Sequence, residues 1–353
     1  MNEVLHYYRG RVALHAILSG LGVKPGDEVV VQAYTCAAVI EPLLRLGVRP
    51  VFADIDRDTF GLDPDRVRDA ITPRTRAVIV QHTFGIPVPL DHMPPNIPII
   101  EDCAHITAGE NDDERSVAAF YSYEWGKPVV AGVGGTAVVH DPGLAAQMRT
   151  RYDRLGPPPP RRELLMTAEY AAYRIAAGTG VLWRLRSLYR RLAGLGVVVG
   201  SYAADPAVSP EYDWRMSRTV RWRLPARIAA GRGETDRRRR VARAYRTELT
   251  RRGIPHTAAD LPLRIPVVVA DKERALREAA AEGVELGDWF ATPVHPLSGA
   301  GLAAAGYTEG SCPNAEWAAA HVVTIPVRAG AGVPSIFRHV GFLAGREATR
   351  AHV

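Results

Sequence analysis

Three side chains that could act together chemically lie close to one another in the middle of the sequence. Asp102 and Ser122 each end a pattern typical of a buried strand, and Lys127 follows in a loop that leads to Gly132-Val133-Gly134-Gly135. Singly, each has an ordinary structural explanation, because a strand-terminal aspartate often caps a helix and a loop lysine is often a surface charge. Together they supply a carboxylate, a hydroxyl and an amine.

These three groups are what an enzyme dependent on pyridoxal 5'-phosphate (PLP) needs. A lysine forms a Schiff base with the aldehyde, a carboxylate keeps the pyridine nitrogen protonated, and a hydroxyl binds the phosphate. The lysine must lose its proton before it attacks, which desolvation and a nearby cation favour. The glycine-rich stretch alone would indicate no more than a turn.

The elements that must position these groups alternate between strand and helix patterns in the first half of the chain. Such alternation predicts an α/β fold with a mostly parallel sheet and helices on both faces. The predicted strands are residues 27–32, 50–54, 77–80, 97–102, 117–122 and 135–139, and the predicted helices are 12–21, 37–46 and 63–71. In open α/β sheets ligands gather at the carboxyl ends of the strands, which is where Asp102 lies.

The second half of the chain has a different pattern. After the stiff linker Pro157–Pro160, an arginine-rich stretch from Glu163 to Leu195 reads as helical, and residues 225–252 predict another long helix. A strand at 264–269 and a helix at 272–282 indicate a smaller α+β domain. We therefore predict a large domain at 1–225, with a helical insertion at about 157–212, and a small C-terminal domain at 226–353. The aromatic positions of the arginine-rich stretch predict packing against protein rather than lipid: Tyr170, Tyr173, Trp183 and Tyr189.

Composition excludes several classes of protein. The 353 residues carry a net charge of +6, nearly all of the excess being arginine in helical stretches, which predicts no nucleic-acid partner. The apolar runs are too short to span a membrane, and the N-terminus lacks a signal-peptide pattern, so we expect a cytoplasmic protein without a membrane partner. The three cysteines are widely separated, which fits neither a disulfide framework nor a metal cluster.

A series of motifs in a fixed order then gives a resemblance to a known family. The motifs are Gly10 to Leu14, Pro25 to Val29, Tyr34-Thr35, Pro50 to Asp56, Thr72 to Thr75, His82 to Gly85, Glu101-Asp102, the Lys127 loop, Arg215-Met216-Ser217, Asn314-Ala315-Glu316 and Thr324-Ile325-Pro326. In this order they resemble the DegT/DnrJ/StrS aminotransferases, the sugar and cyclitol branch of fold-type I PLP enzymes. The resemblance is nearly continuous from about Arg9 to Asp141.

The resemblance implies roles for particular residues. Lys127 matches the Schiff-base lysine and proton shuttle, and Asp102 matches the partner of the ring nitrogen. His105 stands beside the ring hydroxyl and Ser122 at the phosphate. The start of the first helix matches the phosphate cradle, which comprises Gly10, Arg11 and Val12, and Tyr34 and Cys36 occupy the positions near the cofactor ring. Trp125 and His295 are candidates for contact with the substrate.

One departure bears on the substrate. Cys36 stands where relatives usually place the ring that stacks on the cofactor, so either Tyr34 or another ring takes that role, or the cofactor is less covered. The resemblance implies an aminotransferase, active as a homodimer, that uses an amino-acid donor such as glutamate or glutamine and a keto-sugar or ketocyclitol acceptor, in natural-product or surface-sugar biosynthesis. Alternatives are PLP-dependent elimination, replacement or bond formation on the same scaffold, or a non-catalytic PLP-binding regulatory protein.

Overall fold

A computed structural model describes residues 2–109, 113–177, 209–257, 263–328 and 331–344. Strands and helices alternate through the first half, as predicted. The strands are β1 (Glu3–Tyr7), β2 (Glu28–Gln32), β3 (Thr35–Cys36), β4 (Arg49–Ala53), β5 (Thr75–Gln81), β6 (Ile99–Asp102), β7 (Ala118–Ser122) and β8 (Gly135–Val139). The helices are α1 (Gly10–Gly20), α2 (Ala37–Arg45), α3 (Pro64–Ala70) and α4 (Pro142–Tyr152), and a 3-10 turn spans Thr83–Gly85.

Seven of these strands form one sheet in the order β1-β8-β7-β6-β5-β2-β4. β2 pairs in parallel with β4 and β5, and β6 pairs in parallel with β7. β8 runs antiparallel to β7, and β1 antiparallel to β8. The predicted mostly parallel sheet is therefore confirmed. The sequence analysis missed β1, an edge strand in which only Leu5 and Tyr7 are buried, because so short a run gives little periodic signal.

The second half contains the remaining elements. They are α5 (Pro160–Ala177), a 3-10 turn (Pro210–Asp213), α6 (Arg218–Arg251), β9 (Arg264–Val268), α7 (Lys272–Ala281), β10 (Val294–His295), α8 (Ala300–Ala304), α9 (Pro313–His321), β11 (Val322–Pro326) and α10 (Val333–Ala344). The helix expected to start at residue 225 begins at Arg218, so Pro225 lies inside it. Proline is common at the first position of a helix, but Pro225 lies in the interior of α6, where it removes one backbone hydrogen bond.

The chain divides into two compact units, each built from separate stretches of sequence. One comprises Met1–Asp27, Ala38–Val48 and Ile100–Ala229, and the other comprises Glu28–Ala37, Arg49–Ile99 and Ala230–Val353. The expected domains 1–225 and 226–353 differ from this partition, and their boundary falls within α6, so that division stays a prediction. The part of the insertion at 178–208, with Trp183 and Tyr189, lies outside the described residues.

In the first unit, the apolar face of α1 is almost completely buried. Leu14, Ile17 and Leu18 are fully buried, and their spacing of three and four residues places them on one side of a helix. α1 follows β1 after a short connection and packs on β7 and β8. The start of α1 is therefore held at a fixed place beside the ends of these strands. In the described part of the chain, no helix is both long and apolar enough to cross a membrane.

Candidate active site

Several strand ends meet at one edge of the first unit. β6 and β7 are parallel, with Asp102 paired to Phe120, so the carboxyl ends of both strands point the same way. β8 is antiparallel to β7 and starts at Gly135, opposite Ser122. β1 is antiparallel to β8 and ends at Tyr7, also opposite Gly135. The register therefore brings Asp102, Ser122 and the start of α1 to the same edge.

The start of α1 lies directly against the end of β7. A Cβ atom built on Gly10 would lie 3.0 Å from the Cβ of Ser122. A Cβ built on Gly135 would lie 2.3 Å from both the carbonyl carbon and the oxygen of Arg9, and 2.4 Å from the backbone nitrogen of Gly10. Gly135 therefore requires glycine, because a side chain there would push the helix start away from the strands, and a side chain at Gly10 would be in tight contact with Ser122.

The N-terminus of α1 has no side-chain cap, a feature that suits a helix start that binds an anion. Its N-cap residue, Arg9, has an extended backbone and gives no side-chain cap, and the first intrahelical bond runs from the amide of Ala13 to the Arg9 carbonyl at 3.1 Å. The amides of Gly10, Arg11 and Val12 therefore precede the first helical hydrogen bond. First-turn amides and the helix dipole attract anions, and Ser122 lies beside Gly10.

Asp102 and His105 lie buried just after β6, exposing 4% and 6% of their surface. The Oδ1 atom of Asp102 accepts a hydrogen bond of 2.9 Å from the amide of Ala104. The following amide, of Cys103, donates to the carbonyl of Phe120 at 2.9 Å, which continues the strand pairing. These bonds fix the direction of the Asp102 carboxylate at the strand end.

Lys127 is the last residue of a tight turn. Its amide donates to the carbonyl of Glu124 at 3.3 Å, and Gly126, at the third position of the turn, has φ of +79°. A turn with positive φ at this position favours glycine. Glu124 also forms an isolated bridge with Gly132, which places the turn beside the glycine-rich loop. Lys127 itself is half-buried.

A buried ion-pair network connects the α1 start to this turn. Nη1 of Arg9 donates to Oε1 of Glu124 at 2.6 Å, and its Nε donates to Oε2 of Glu211 at 2.7 Å. Glu211 also pairs with Arg162 of α5 at 3.1 Å. Burial alone would raise the pKa of the Glu124 carboxyl, but Arg9, Arg11 and Lys127 outweigh burial, and the pKa is lowered. Glu124 is therefore a carboxylate that faces three cations.

Arg11, on the other side of Gly10, has its own partner. Its Nη1 donates to Oε2 of Glu41, whose Oε1 accepts from the Tyr212 hydroxyl at 3.0 Å. The guanidinium of Arg45 lies 4.3 Å from the centre of the Tyr212 ring. Burial, followed by the charge of Glu41, raises the pKa of Tyr212, so this hydroxyl stays protonated and donates.

Trp125 packs on the helices that flank the glycine-rich loop. Its ring centre lies 4.3 Å from that of Tyr173 and 6.4 Å from that of Tyr170, both on α5. From α6, Arg223 stacks on Tyr170 at 4.0 Å and donates from Nε to the carbonyl of Ala131 at 3.0 Å. This part of the arginine-rich segment therefore packs against protein, as predicted.

The second unit contains the other residues that the sequence analysis singled out. The Tyr34 ring is fully buried, 5.2 Å from Phe290 and 6.0 Å from Phe84 between ring centres, and its hydroxyl donates to the carbonyl of Trp289 at 3.3 Å. β3 and β10 pair in parallel with Cys36 opposite His295. The Nδ1 atom of His295 accepts a hydrogen bond of 3.2 Å from the amide of Ala291. Because Nδ1 accepts, a neutral His295 carries its proton on Nε2.

The ion pairs of Arg9 with Glu211 and of Arg11 with Glu41 were not predicted from the sequence. Two arginines on either side of Gly10, at the start of an apolar helix, were a signal that could have been used, because a buried guanidinium needs carboxylate partners. The partners themselves come from residues 30 to 202 positions away, and no local pattern reveals such pairings.

Comparisons with known proteins agree with this arrangement. Residues 3–159 match the model of the DegT/DnrJ/EryC1/StrS aminotransferase family. The chain is similar to DesV of S. venezuelae, solved in complex with a ketimine intermediate, with 26% identity, a TM-score of 0.70, and coverage of 99% of this chain and 85% of DesV. Two further structures share the fold. One is sugar aminotransferase CalS13 from Micromonospora echinospora, with 21% identity, a TM-score of 0.70, and coverage of 97% of this chain and 87% of CalS13. The other is the PLP form of Spr1654 from Streptococcus pneumoniae, with 18% identity, a TM-score of 0.72, and coverage of 98% of this chain and 88% of Spr1654.

The fold and the family match together define the class: this chain is a fold-type I PLP-dependent aminotransferase. Within that class, its residues 3–159 are similar to the DegT/DnrJ/EryC1/StrS aminotransferase family. The predicted family, fold class and cofactor are thus confirmed, whereas the roles of individual residues stay predictions.

Proposed function

We propose that the enzyme transfers an amino group from an amino acid, glutamate or glutamine, to the carbonyl of a sugar or cyclitol. The substrate class is supported by the similarity to sugar aminotransferase CalS13. The assignment of the reacting lysine rests on this chain alone, and one observation carries it.

The sequence contains only three lysines, Lys24, Lys127 and Lys272. Lys24 is exposed in the connection after α1. Lys272 exposes 5% of its surface, and its Nζ donates to the carbonyls of Phe290 and Ala319 at 2.7 and 3.0 Å. Lys127 is the lysine that lies in a turn beside the glycine-rich loop and the start of α1. Covalent attachment of PLP therefore has one suitable candidate.

The remaining groups fit the cofactor chemically. The first-turn amides of Gly10, Arg11 and Val12 and the hydroxyl of Ser122 would hold the phosphate. Asp102, buried and oriented by the Ala104 amide, would pair with the protonated ring nitrogen. His105, three residues further on, would contact the ring hydroxyl. The close approach of the helix start to the strands supports this fit, because Gly135 leaves no room for a Cβ and Gly10 leaves little.

The protein's own contribution to the reaction follows from these positions. When bound, PLP supplies a ring that withdraws electrons from the bonds around the substrate carbon. Lys127 would act first as a general base and then as a general acid. Its Nζ would take the proton from the substrate carbon and return it to the cofactor carbon that is bonded to the transferred nitrogen. The carboxylate of Asp102 would pair with the protonated ring nitrogen and would thereby favour removal of the proton. Burial of Asp102 strengthens this pairing, because water screens it less.

Borohydride reduction and peptide mapping test the lysine. Purified enzyme loaded with PLP and reduced should carry the pyridoxyl group on the peptide that contains Lys127. Lys127→Ala should remove that label and lower turnover by several orders of magnitude, whereas Lys24→Ala should keep both. A label on Lys24 or Lys272 in the wild-type enzyme would overturn the assignment.

Mass spectrometry of the cofactor after incubation with single amino acids tests the reaction. An aminotransferase should leave pyridoxamine phosphate and release the keto acid of its donor in equal amounts. Release of keto acid with the cofactor still as PLP would indicate elimination instead. No change with any amino acid would favour a binding protein.

The active form, as the family resemblance implies, is proposed to be a homodimer whose two sites lie at the subunit contact. Light scattering on the loaded enzyme should give the mass of two chains. A monomeric mass at concentrations where the enzyme is fully active would contradict this part of the proposal.

A further inference from the structure

We propose that the buried Arg9–Glu124 ion pair is a positioning device that sets the Lys127 turn against the anion-binding start of α1. This inference rests on the proposed function, because it concerns how the lysine and the phosphate cradle are held in register. The pair connects two segments that are 115 residues apart in the chain.

Each end of the pair is attached directly to one half of the site. Arg9 is the N-cap residue of α1, and its peptide bond to Gly10 packs on Gly135 so closely that no Cβ would fit there. Glu124 is the first residue of the turn whose last residue is Lys127, the two being joined by the backbone bond of 3.3 Å. A displacement of either residue therefore moves one half of the site relative to the other.

The chemistry of the pair suits a rigid connection. Arg9 exposes 2% of its surface, and its guanidinium is held on two sides: by Glu124 at 2.6 Å and by Glu211 at 2.7 and 3.3 Å. A planar guanidinium with several fixed donors holds its partners in a defined geometry. Because the Arg9 side chain is buried, removing one partner leaves a poorly compensated charge, which is costly.

Glu211 provides a matched control within the same network. It accepts from the same guanidinium and is buried as well, but it lies on the 3-10 turn Pro210–Asp213, away from the Lys127 turn in sequence, and pairs with Arg162. A purely structural network predicts that the loss of either carboxylate has the same consequences. If the pair positions the lysine, only the loss of Glu124 should change the rate at which Lys127 is trapped with PLP.

The experiment compares Glu124→Ala with Glu211→Ala, each as the full-length, PLP-loaded enzyme. We measure the rate at which added PLP becomes trapped by borohydride on Lys127, the melting temperature, and the hydrogen exchange of the backbone amides from 124 to 134. Both variants should melt at lower temperature than the wild type. Glu124→Ala should slow trapping about 10- to 100-fold, the size expected when a reacting group is misplaced by about 1 Å, and should speed amide exchange in the turn. Glu211→Ala should leave both of these close to wild type.

Equal slowing of trapping in the two variants, or none in Glu124→Ala, would overturn the proposal. If Glu124→Ala does not fold, Glu124→Gln takes its place, since its amide oxygen can still accept from Arg9. It should give a smaller slowing, again absent in Glu211→Gln. Failure of the proposed function would look different. The wild-type enzyme would then show no trapping at Lys127, while the amide exchange of the turn would still separate the two variants.

Discussion

Gly135 offers the sharpest test of where the phosphate binds. Gly135→Ala adds one methyl group, which would lie 2.3 to 2.4 Å from three backbone atoms of the Arg9–Gly10 peptide. Ordinary contact between such atoms needs about 3.5 Å, so the two segments must separate by about 1 Å. Backbone atoms cannot rotate away as the end of a side chain can. The α1 start must therefore shift away from β8 and Ser122.

The expected loss of affinity for PLP follows from the contacts that depend on the position of the α1 start. If the shift breaks one hydrogen bond between a first-turn amide and the phosphate, the loss is about 1.5–3 kcal/mol. That corresponds to a rise in the Kd for PLP of about 10- to 100-fold. Overpacking of this kind also lowers the free energy of unfolding by about 1–3 kcal/mol.

A second glycine separates these two effects. A Cβ on Gly61 would lie 2.4 Å from Cγ2 of Val88, so Gly61→Ala is overpacked to a similar degree at a place that the site does not use. Isothermal titration with PLP and a melting curve on both variants give the comparison. Both should melt lower, and only Gly135→Ala should bind PLP more weakly. Unchanged PLP affinity in Gly135→Ala, with the enzyme still folded, would refute the placement of the phosphate at the α1 start.

Three further predictions concern single side chains. Asp102→Ala should keep borohydride trapping at Lys127 but reduce turnover, with a larger isotope effect on the substrate's α-hydrogen, and a wild-type rate would show that another residue faces the ring nitrogen. The Asp54 carboxylate accepts hydrogen bonds of 2.9 Å from the amides of Asn314 and Ala315 at the start of α9. Asp54→Ala should therefore lower the free energy of unfolding, measured in urea, by about 1–2 kcal/mol, and no change would exclude the capping role. Burial lowers the pKa of Lys272 from 10.5 to about 8, so the unfolded chain binds more protons between these values and stability should rise with pH there relative to Lys272→Met. Parallel pH profiles of the two proteins would contradict that expectation.

The sequence predicted the central sheet well because buried parallel strands and their crossover helices carry strong local patterns. Residues 27–32 and 135–139, for example, correspond to β2 and β8 nearly to the residue. The start of α6 was misplaced because Pro225 is a common N-terminal signal, and the packing that extends the helix back to Arg218 is not a local property. The predicted domain boundary stays a prediction, and the division into compact units groups β2, β4 and β5 with the C-terminal elements, which no local pattern indicates.

The candidate site was predictable where residue type and strand position coincide, as for Asp102, Ser122 and Lys127. It was not predictable where a side chain's role depends on a distant partner. Arg11 shows the difference: the resemblance placed this residue in the phosphate cradle, but the pairing of its guanidinium with Glu41 was not predicted. The Tyr34 ring, one candidate to cover the cofactor, is fully buried among aromatic rings of its own unit.

The charges around Gly10 favour backbone groups over arginines as the main ligands of the proposed phosphate site. Arg9 and Arg11 expose 2% and 5% of their surface, and buried guanidinium groups are stable only with carboxylate partners in place. Those partners, Glu41, Glu124 and Glu211, are anions that would repel a phosphate at close range. The arginine charges are thus largely balanced within the protein. We therefore expect the attraction for a phosphate to come chiefly from the backbone amides at the start of α1 and from Ser122. Hydrogen bonds of this kind need a fixed geometry, which the closely packed Gly135 and the Arg9–Glu124 pair would maintain.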